Sequence, residues 1–241
     1  MTDFFKYIYA FPFAAAAYAW LFMTGMLAYP YFYLTGYKES QIRSFLYFSG
    51  KAVQLAIFGA SGFSKKIIEK SPFPQKPSVL VANHPCMYDT FLFFDFGIKN
   101  LVCIAKGWPF KIIFFGKFIE KAGYINTDGK RSEDIIALAA GKLAEGLHIA
   151  IFPEGTRSVN IGRFRTLAFE IAVKTGADVV PFAIKGLDEM LPRGRYFPKK
   201  VPVSYVRLEA VSPQAFGFEA GGLRMARYVK EKIVEELQKN N

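Results

Sequence analysis

Only two cysteines, Cys86 and Cys103, occur in the 241 residues. That is too few for a disulfide framework and the wrong spacing for a metal site, and it fits a reducing compartment. Histidine is equally scarce, at His84 and His148, so neither is one surface residue among many. No Gly-x-Ser-x-Gly is present, which excludes a nucleophile elbow. Internal repeats and low-complexity tracts are absent too. Acidic residues number 20 against 31 basic ones, a net charge of +11. Such a balance calls for an anionic partner: nucleic acid, a phosphate-bearing small molecule or an acidic bilayer. The aromatic residues gather in apolar runs rather than among the cations, which speaks against nucleic acid.

Charge is missing altogether from Tyr7 to Tyr37, "YIYAFPFAAAAYAWLFMTGMLAYPYFYLTGY". The run is longer than a secretory signal and lacks a clean small-residue cleavage site. It is long enough for a spanning helix, yet Pro12, Gly25 and Pro30 interrupt it and Tyr and Trp are spread through it. A second weakly charged piece follows, "SFLYFSGKAVQLAIFGASGF". Two apolar helices in tandem suggest a span plus an interfacial helix, or a hairpin dipping into one leaflet; a buried soluble pair is the plain alternative. Lys38, Arg43, Lys51, Lys65 and Lys66 lie C-terminal to the run. They place the rest of the chain on the cytoplasmic side of an inner membrane or its equivalent, beside anionic headgroups.

After Lys70 the texture changes. β-rich runs at 78–82, 101–105, 149–152, 179–184 and 203–211 alternate with helix-length segments such as "SEDIIALAAGKLAEG". Ala226, Val229, Ile233 and Leu237 recur at helical spacing near the C-terminus. This predicts an α/β domain over 67–241, built on a largely parallel sheet flanked by helices, behind a membrane-anchoring helical pair over 1–66. The stretch 186–200 reads as a basic loop.

His84 directly follows the first β-run and precedes Pro85 in "VANHPCMYD". Pro85 keeps His84 out of helical conformation and suits a first helical position, which places Asp89 on the second turn of a following helix. On one unbroken helix, residues five apart point about 140° apart and do not meet. With His84 outside the helix, Asp89 can fold back to it, accept from one ring nitrogen and leave the other to take a proton. This is a base without its own nucleophile, which suits a substrate that brings the hydroxyl. Three rivals stand beside it: Cys86 as a thiol nucleophile, a metal site with too few ligands, and a histidine that only caps a helix. His148 has no acid nearby in sequence and reads as structural.

"IAIFPEGTRS" (149–158) is the second informative stretch. A β-run stops at Pro153, Gly155 permits unusual backbone, and Arg157 projects from the turn as a phosphate ligand. Lys106, after the run 101–105, falls on the same expected edge. Glu154 either orders the turn or bonds a substrate hydroxyl.

"NHPCMYD", "FPEGTRS" and "VVPFAI" together, in that order, resemble the glycerolipid acyltransferases, especially the bacterial 1-acylglycerol-3-phosphate acyltransferases. The resemblance covers roughly 76–212. It implies transfer of a fatty acyl group from acyl-coenzyme A or acyl carrier protein to the sn-2 hydroxyl of lysophosphatidic acid, with no cofactor and no metal. It implies His84 as base, Asp89 as its partner, and Glu154, Gly155, Thr156 and Arg157, with Lys106, around the acceptor phosphate. The middle block departs: where many members show Ile-Asp-Arg, this chain has Ile125-Asn126-Thr127, leaving Lys130 or Arg131 to supply the cation. Leu167 stands where a glycine is frequent. Both departures touch acceptor binding, so other lysolipids or glycerol 3-phosphate are the alternative acceptors. A non-catalytic phospholipid binder is the alternative class.

Overall fold

The computed structural model describes residues 2–60, 64–192, 198–217 and 220–239. In chain order the elements are α1 (Thr2–Thr35), α2 (Glu39–Gln54), β1 (Lys65–Glu69), β2 (Val79–Ala82), α3 (Leu92–Asp95), β3 (Leu101–Ala105) and α4 (Phe115–Lys121). There follow β4 (Ile125–Asn126), α5 (Ser132–Ala144), β5 (His148–Ile151), α6 (Leu167–Thr175), β6 (Val179–Lys185), α7 (Leu187–Met190), β7 (Val203–Arg207) and α8 (Gly221–Gln238).

The strands form one sheet in the order β1-β7-β6-β2-β5-β3-β4. Every pairing is parallel except β6 with β7. Five strands therefore run one way, and β1 and β7 run the other. The alternation of side chains explains why the central strands read as continuous apolar runs. Leu80, Ala82, Phe182 and Ile184 point into one core with Leu92 and Phe93. Val79, Val81, Ile149 and Val179 point into the other, under α5, α6 and α8. The periodic Ala226, Val229 and Ile233 of α8 are buried there, with Leu237 packed at the edge. Residues 193–197 of the basic stretch lie outside the described residues.

Two strands escape the sequence pattern. β1 begins at Lys65, two residues before the anticipated domain start at 67, and pairs with β7 from Lys65–Val203 to Glu69–Arg207. Its two leading lysines hide it as a juxtamembrane basic cluster. β4 is only two residues long, too short for any periodicity.

At the N-terminal end, α1 continues through Pro12 and Pro30, so the interruptions expected there do not occur. A proline removes one helical hydrogen bond and can kink a helix without ending it. α2 is not a second apolar rod: Ile42, Leu46 and Val53 are buried while Lys38, Glu39 and Ser40 around its start are exposed. Phe32, Ile42 and Leu46 pack on Phe118, Ile119 and Ala122, so both helices are joined to the α/β unit through α4. Arg43 adds a hydrogen bond to the Ala122 carbonyl at 3.0 Å. Among the described residues, no helix is long and apolar enough to cross a membrane.

Candidate active site

The carboxyl ends of β2, β5 and β3 lie side by side, and the residues that follow them form one edge, as expected of open parallel sheets. Asn83 extends β2 by imitation. Its carboxamide donates to the Ile184 carbonyl at 3.0 Å and accepts from the Ile184 N–H at 2.8 Å. This pins the chain one residue before His84. The sequence reading passed over Asn83; its position between the strand and the histidine was the available signal.

His84 is then held from every side. Its N–H donates to Glu154 Oε1 at 2.9 Å, and its carbonyl accepts from Ser158 N–H at 2.9 Å. The ring stacks on Phe152, with centroids 4.4 Å apart and planes inclined 19°. Nδ1 lies 2.6 Å from Asp89 Oδ2. The imidazole is 19% exposed while the Asp89 carboxyl is wholly buried. One ring nitrogen thus faces an acid, and the ring still reaches solvent.

Asp89 comes back to His84 by a shorter route than the sequence suggests. The segment Met87–Phe91 is a 3₁₀ turn with Cys86 as its N-cap, so Pro85 precedes the cap and Asp89 lies in the first turn. The Cys86 N–H donates to Asp89 Oδ2 at 3.2 Å, completing a capping box. Burial pushes the Asp89 carboxyl above its ordinary range, opposed by the bond to His84, the Cys86 N–H and the positive charge of Arg157. Cys86 is no nucleophile in this setting. Its Sγ accepts from the Tyr88 N–H at 3.2 Å, and burial pushes the thiol up to about 12.

Glu154 orders the turn. It is buried, and its second oxygen accepts from the Gly162 N–H at 2.9 Å, so both oxygens are bound by backbone. A carboxylate so engaged braces His84, the turn-ordering role that is one of the two its place in the sequence allows. Gly155 has φ +68°, and the Arg165 side chain packs across it. Thr156 and Arg157 stand exposed at the tip. Lys106 is exposed past the end of β3. Asn126 accepts from the Asp128 N–H at 2.9 Å, and Thr127 donates its N–H to the Ala105 carbonyl at 3.0 Å. The Asn126 side chain therefore serves the turn, and the Thr127 backbone continues the pairing of β4 with β3. Arg131 is exposed and paired with Asp134 at 3.3 Å, and Lys130 beside it is exposed as well.

His148 sits at the opposite end of the sheet, where its Nδ1 accepts from the Ser78 N–H at 3.1 Å. No group of three His, Cys, Asp or Glu side chains suited to a metal occurs among the described residues. Two hollows of about 270 and 370 Å³ lie away from the dyad, one beside His148 and one between α1 and α2.

The family model Acyltransferase matches residues 65–185, half of the chain and all of the edge just described. The chain belongs to this acyltransferase family. A 1-acyl-sn-glycerol-3-phosphate acyltransferase of Chlamydomonas reinhardtii is 34% identical over 132 residues, 53% of this chain and 40% of that protein. One from Pseudomonas aeruginosa is 28% identical over 132 residues, 52% of this chain and 48% of that protein. The chain thus spans less than half the length of these curated relatives. The crystal structure of the Thermotoga maritima 1-acyl-sn-glycerophosphate acyltransferase PlsC superposes with a TM-score of 0.73 at 23% identity, covering 99% of this chain and 98% of that one. The fold is shared across essentially the whole length.

Proposed function

We propose that this acyltransferase moves a fatty acyl group from acyl-coenzyme A or acyl carrier protein to the sn-2 hydroxyl of 1-acylglycerol-3-phosphate, giving phosphatidic acid. The observation that carries the reading is the 2.6 Å contact between His84 and buried Asp89 beside a capping, unreactive Cys86. His84 removes the proton of the acceptor hydroxyl while that oxygen attacks the thioester carbonyl. The C–S bond then breaks and the thiolate leaves, taking up a proton. Asp89 holds the ring in one tautomer and stabilises the imidazolium formed on the way. General-base assistance of this kind contributes about 10²–10⁴-fold. Arg157 and Thr156, exposed at the loop tip, receive the acceptor phosphate, with Lys106 across the edge.

A second acceptor is favoured by one specific feature. Where the resemblance leads one to expect Ile-Asp-Arg in the middle block, this chain has Ile125-Asn126-Thr127, with Thr127 at the place of the arginine. Lysophosphatidylethanolamine or glycerol 3-phosphate are the alternatives this leaves.

The bilayer is the partner that supplies lysolipid and receives product. Trp20, Phe22, Met26 and Leu27 of α1 are exposed, as are Trp108, Ile112, Ile113 and Phe115. The two groups meet where Phe114 packs on Phe22 and Tyr29. Lys111, next to Ile112, is exposed, as are Lys38 past the end of α1 and Lys106 past the end of β3. Seated so on the cytoplasmic leaflet, the chain keeps its sheet edge beside the headgroups.

Thiol release from a long-chain acyl-coenzyme A, measured with lysophosphatidate, glycerol 3-phosphate and lysophosphatidylethanolamine in parallel, tests the acceptor. Turnover with lysophosphatidate above the others supports the proposal. Preference for another acceptor keeps the chemistry and replaces the substrate, and silence with all donors and acceptors leaves a lipid-binding protein.

A further inference from the structure

Around the dyad, three buried polar groups have no direct hydrogen-bond partner: Asp89 Oδ1, the Tyr205 hydroxyl and the Gln54 carboxamide. They belong to one neighbourhood. Tyr205 is fully buried in β7 opposite Ile184, the residue whose backbone Asn83 grips. It shares a core cluster with Cys86, Tyr88, Leu92 and Phe93, the residues on either side of Asp89. Its hydroxyl feels the charge of Asp95 and, more weakly, that of Asp89, and has the Gln54 carboxamide beside it. Gln54, also buried, is the last residue of α2.

Native interiors leave few polar groups unpaired, and those that cluster are commonly joined by an internal water with two to four partners. The three groups are chemically complementary. A carboxylate only accepts, a phenol donates and accepts, and a carboxamide does both. We propose that Asp89 Oδ1, the Tyr205 hydroxyl and the Gln54 carboxamide hold internal water between them, which makes Tyr205 and Gln54 positioning residues for the His84–Asp89 dyad. The water donates to Asp89 Oδ1 and accepts from both the Tyr205 hydroxyl and the Gln54 carboxamide nitrogen. This fixes the plane of the carboxyl group so that Oδ2 meets Nδ1, and it solvates a charge that burial disfavours. Through Gln54, α2 acts on the base.

The titratable groups facing Asp89 are His84 and Cys86 from its own segment, Arg157 from the loop after β5, and Tyr205 from β7. Asp95 of α3 lies beyond Tyr205, held by Lys65 at 2.8 Å and Lys51 at 3.7 Å.

The inference rests on the dyad being the base, and its test keeps the two apart. The full chain, purified in detergent, is assayed for acyl transfer to its preferred acceptor as a function of pH. The variants are Tyr205→Phe, Gln54→Leu, Asp89→Asn, Tyr205→Phe with Asp89→Asn, and His84→Ala. Tyr205→Phe is expected to lower kcat about tenfold with KM unchanged, the loss of one charge-assisted hydrogen bond. It is also expected to move the acid limb of the profile to higher pH, because a less solvated carboxylate holds the imidazolium more tightly. Gln54→Leu acts in the same direction, and Tyr205→Phe adds nothing once Asp89→Asn is present. A wild-type kcat and profile in Tyr205→Phe would overturn the inference. So would a loss of activity that only tracks a lower thermal midpoint and leaves the pH profile in place. Full activity in His84→Ala would instead remove the dyad itself, and the relay with it.

Discussion

Glu154 shows how a residue's role follows from what its atoms touch. Both carboxylate oxygens receive backbone N–H groups, from His84 and Gly162. Glu154→Gln keeps the shape but lets only one side-chain oxygen accept. The bond lost is charge-assisted, worth about 1.5–3 kcal/mol. We expect kcat to fall by about tenfold or more while the KM for the acceptor stays near wild type; a substrate ligand at this position would instead raise KM. Asp89 offers a second test. Its carboxyl is pushed up by burial, so the folded state holds a proton more readily than the unfolded chain. Its ionisation therefore costs stability, beginning above the unfolded value of about 4 and complete once pH exceeds the folded value. Asp89→Asn should lower turnover by about 10²-fold or more yet keep or raise the thermal midpoint at neutral pH, and should flatten the decline in stability as pH rises through that window. Of these roles, the pairing of His84 with Asp89 was legible from Pro85 and the spacing. Turn-ordering by Glu154 was one of the two roles its sequence position allowed, but the bracing by Asn83 and Phe152 was not legible, because each acts across the sheet on a residue far away in sequence.

At the level of elements, the close approach of α2 to α3 rests on Gly50. A side chain there would collide with the ring of Phe94 and press on Phe91. Ala is favoured over Gly inside a helix by about 1 kcal/mol, but overpacking a buried contact costs about 1–3 kcal/mol. Gly50→Ala should therefore lower the thermal midpoint, by about 2–4 °C per kcal/mol for a chain of this size. Thermal unfolding monitored by circular dichroism checks this, and an unchanged or higher midpoint would mean that the helix yields without cost. The central strands were readable because both of their faces are buried and their runs are apolar throughout. β1 was not, since Lys65 and Lys66 look like a membrane-flanking cluster and only the pairing with β7 makes them a strand. The helical pair was read as two apolar rods, whereas the buried face of α2 is built for α4 and α3.

For the whole molecule, exposed apolar side chains of α1 and of the segment around Phe114 adjoin where Phe114 packs on Phe22, and Lys111 beside Ile112 is exposed. The bilayer contact proposed above would draw on burial and charge together. Ile113 is 75% exposed, so Ile113→Asp should leave the fold intact. It should weaken sedimentation with vesicles containing anionic lipid, and added salt should weaken binding of both forms. Equal binding of the two proteins would place the membrane contact elsewhere.

The central claim is that His84 activates the acceptor's hydroxyl directly, with no acylated protein on the way. The measurement that meets it is thiol release from acyl-coenzyme A with and without lysophosphatidate, for wild type and His84→Ala, with the intact mass of the protein recorded at each point. The account predicts release only when acceptor is present, loss of that release in the variant, and no gain in protein mass. A burst of thiol without acceptor, together with an acyl adduct on Cys86, would contradict it.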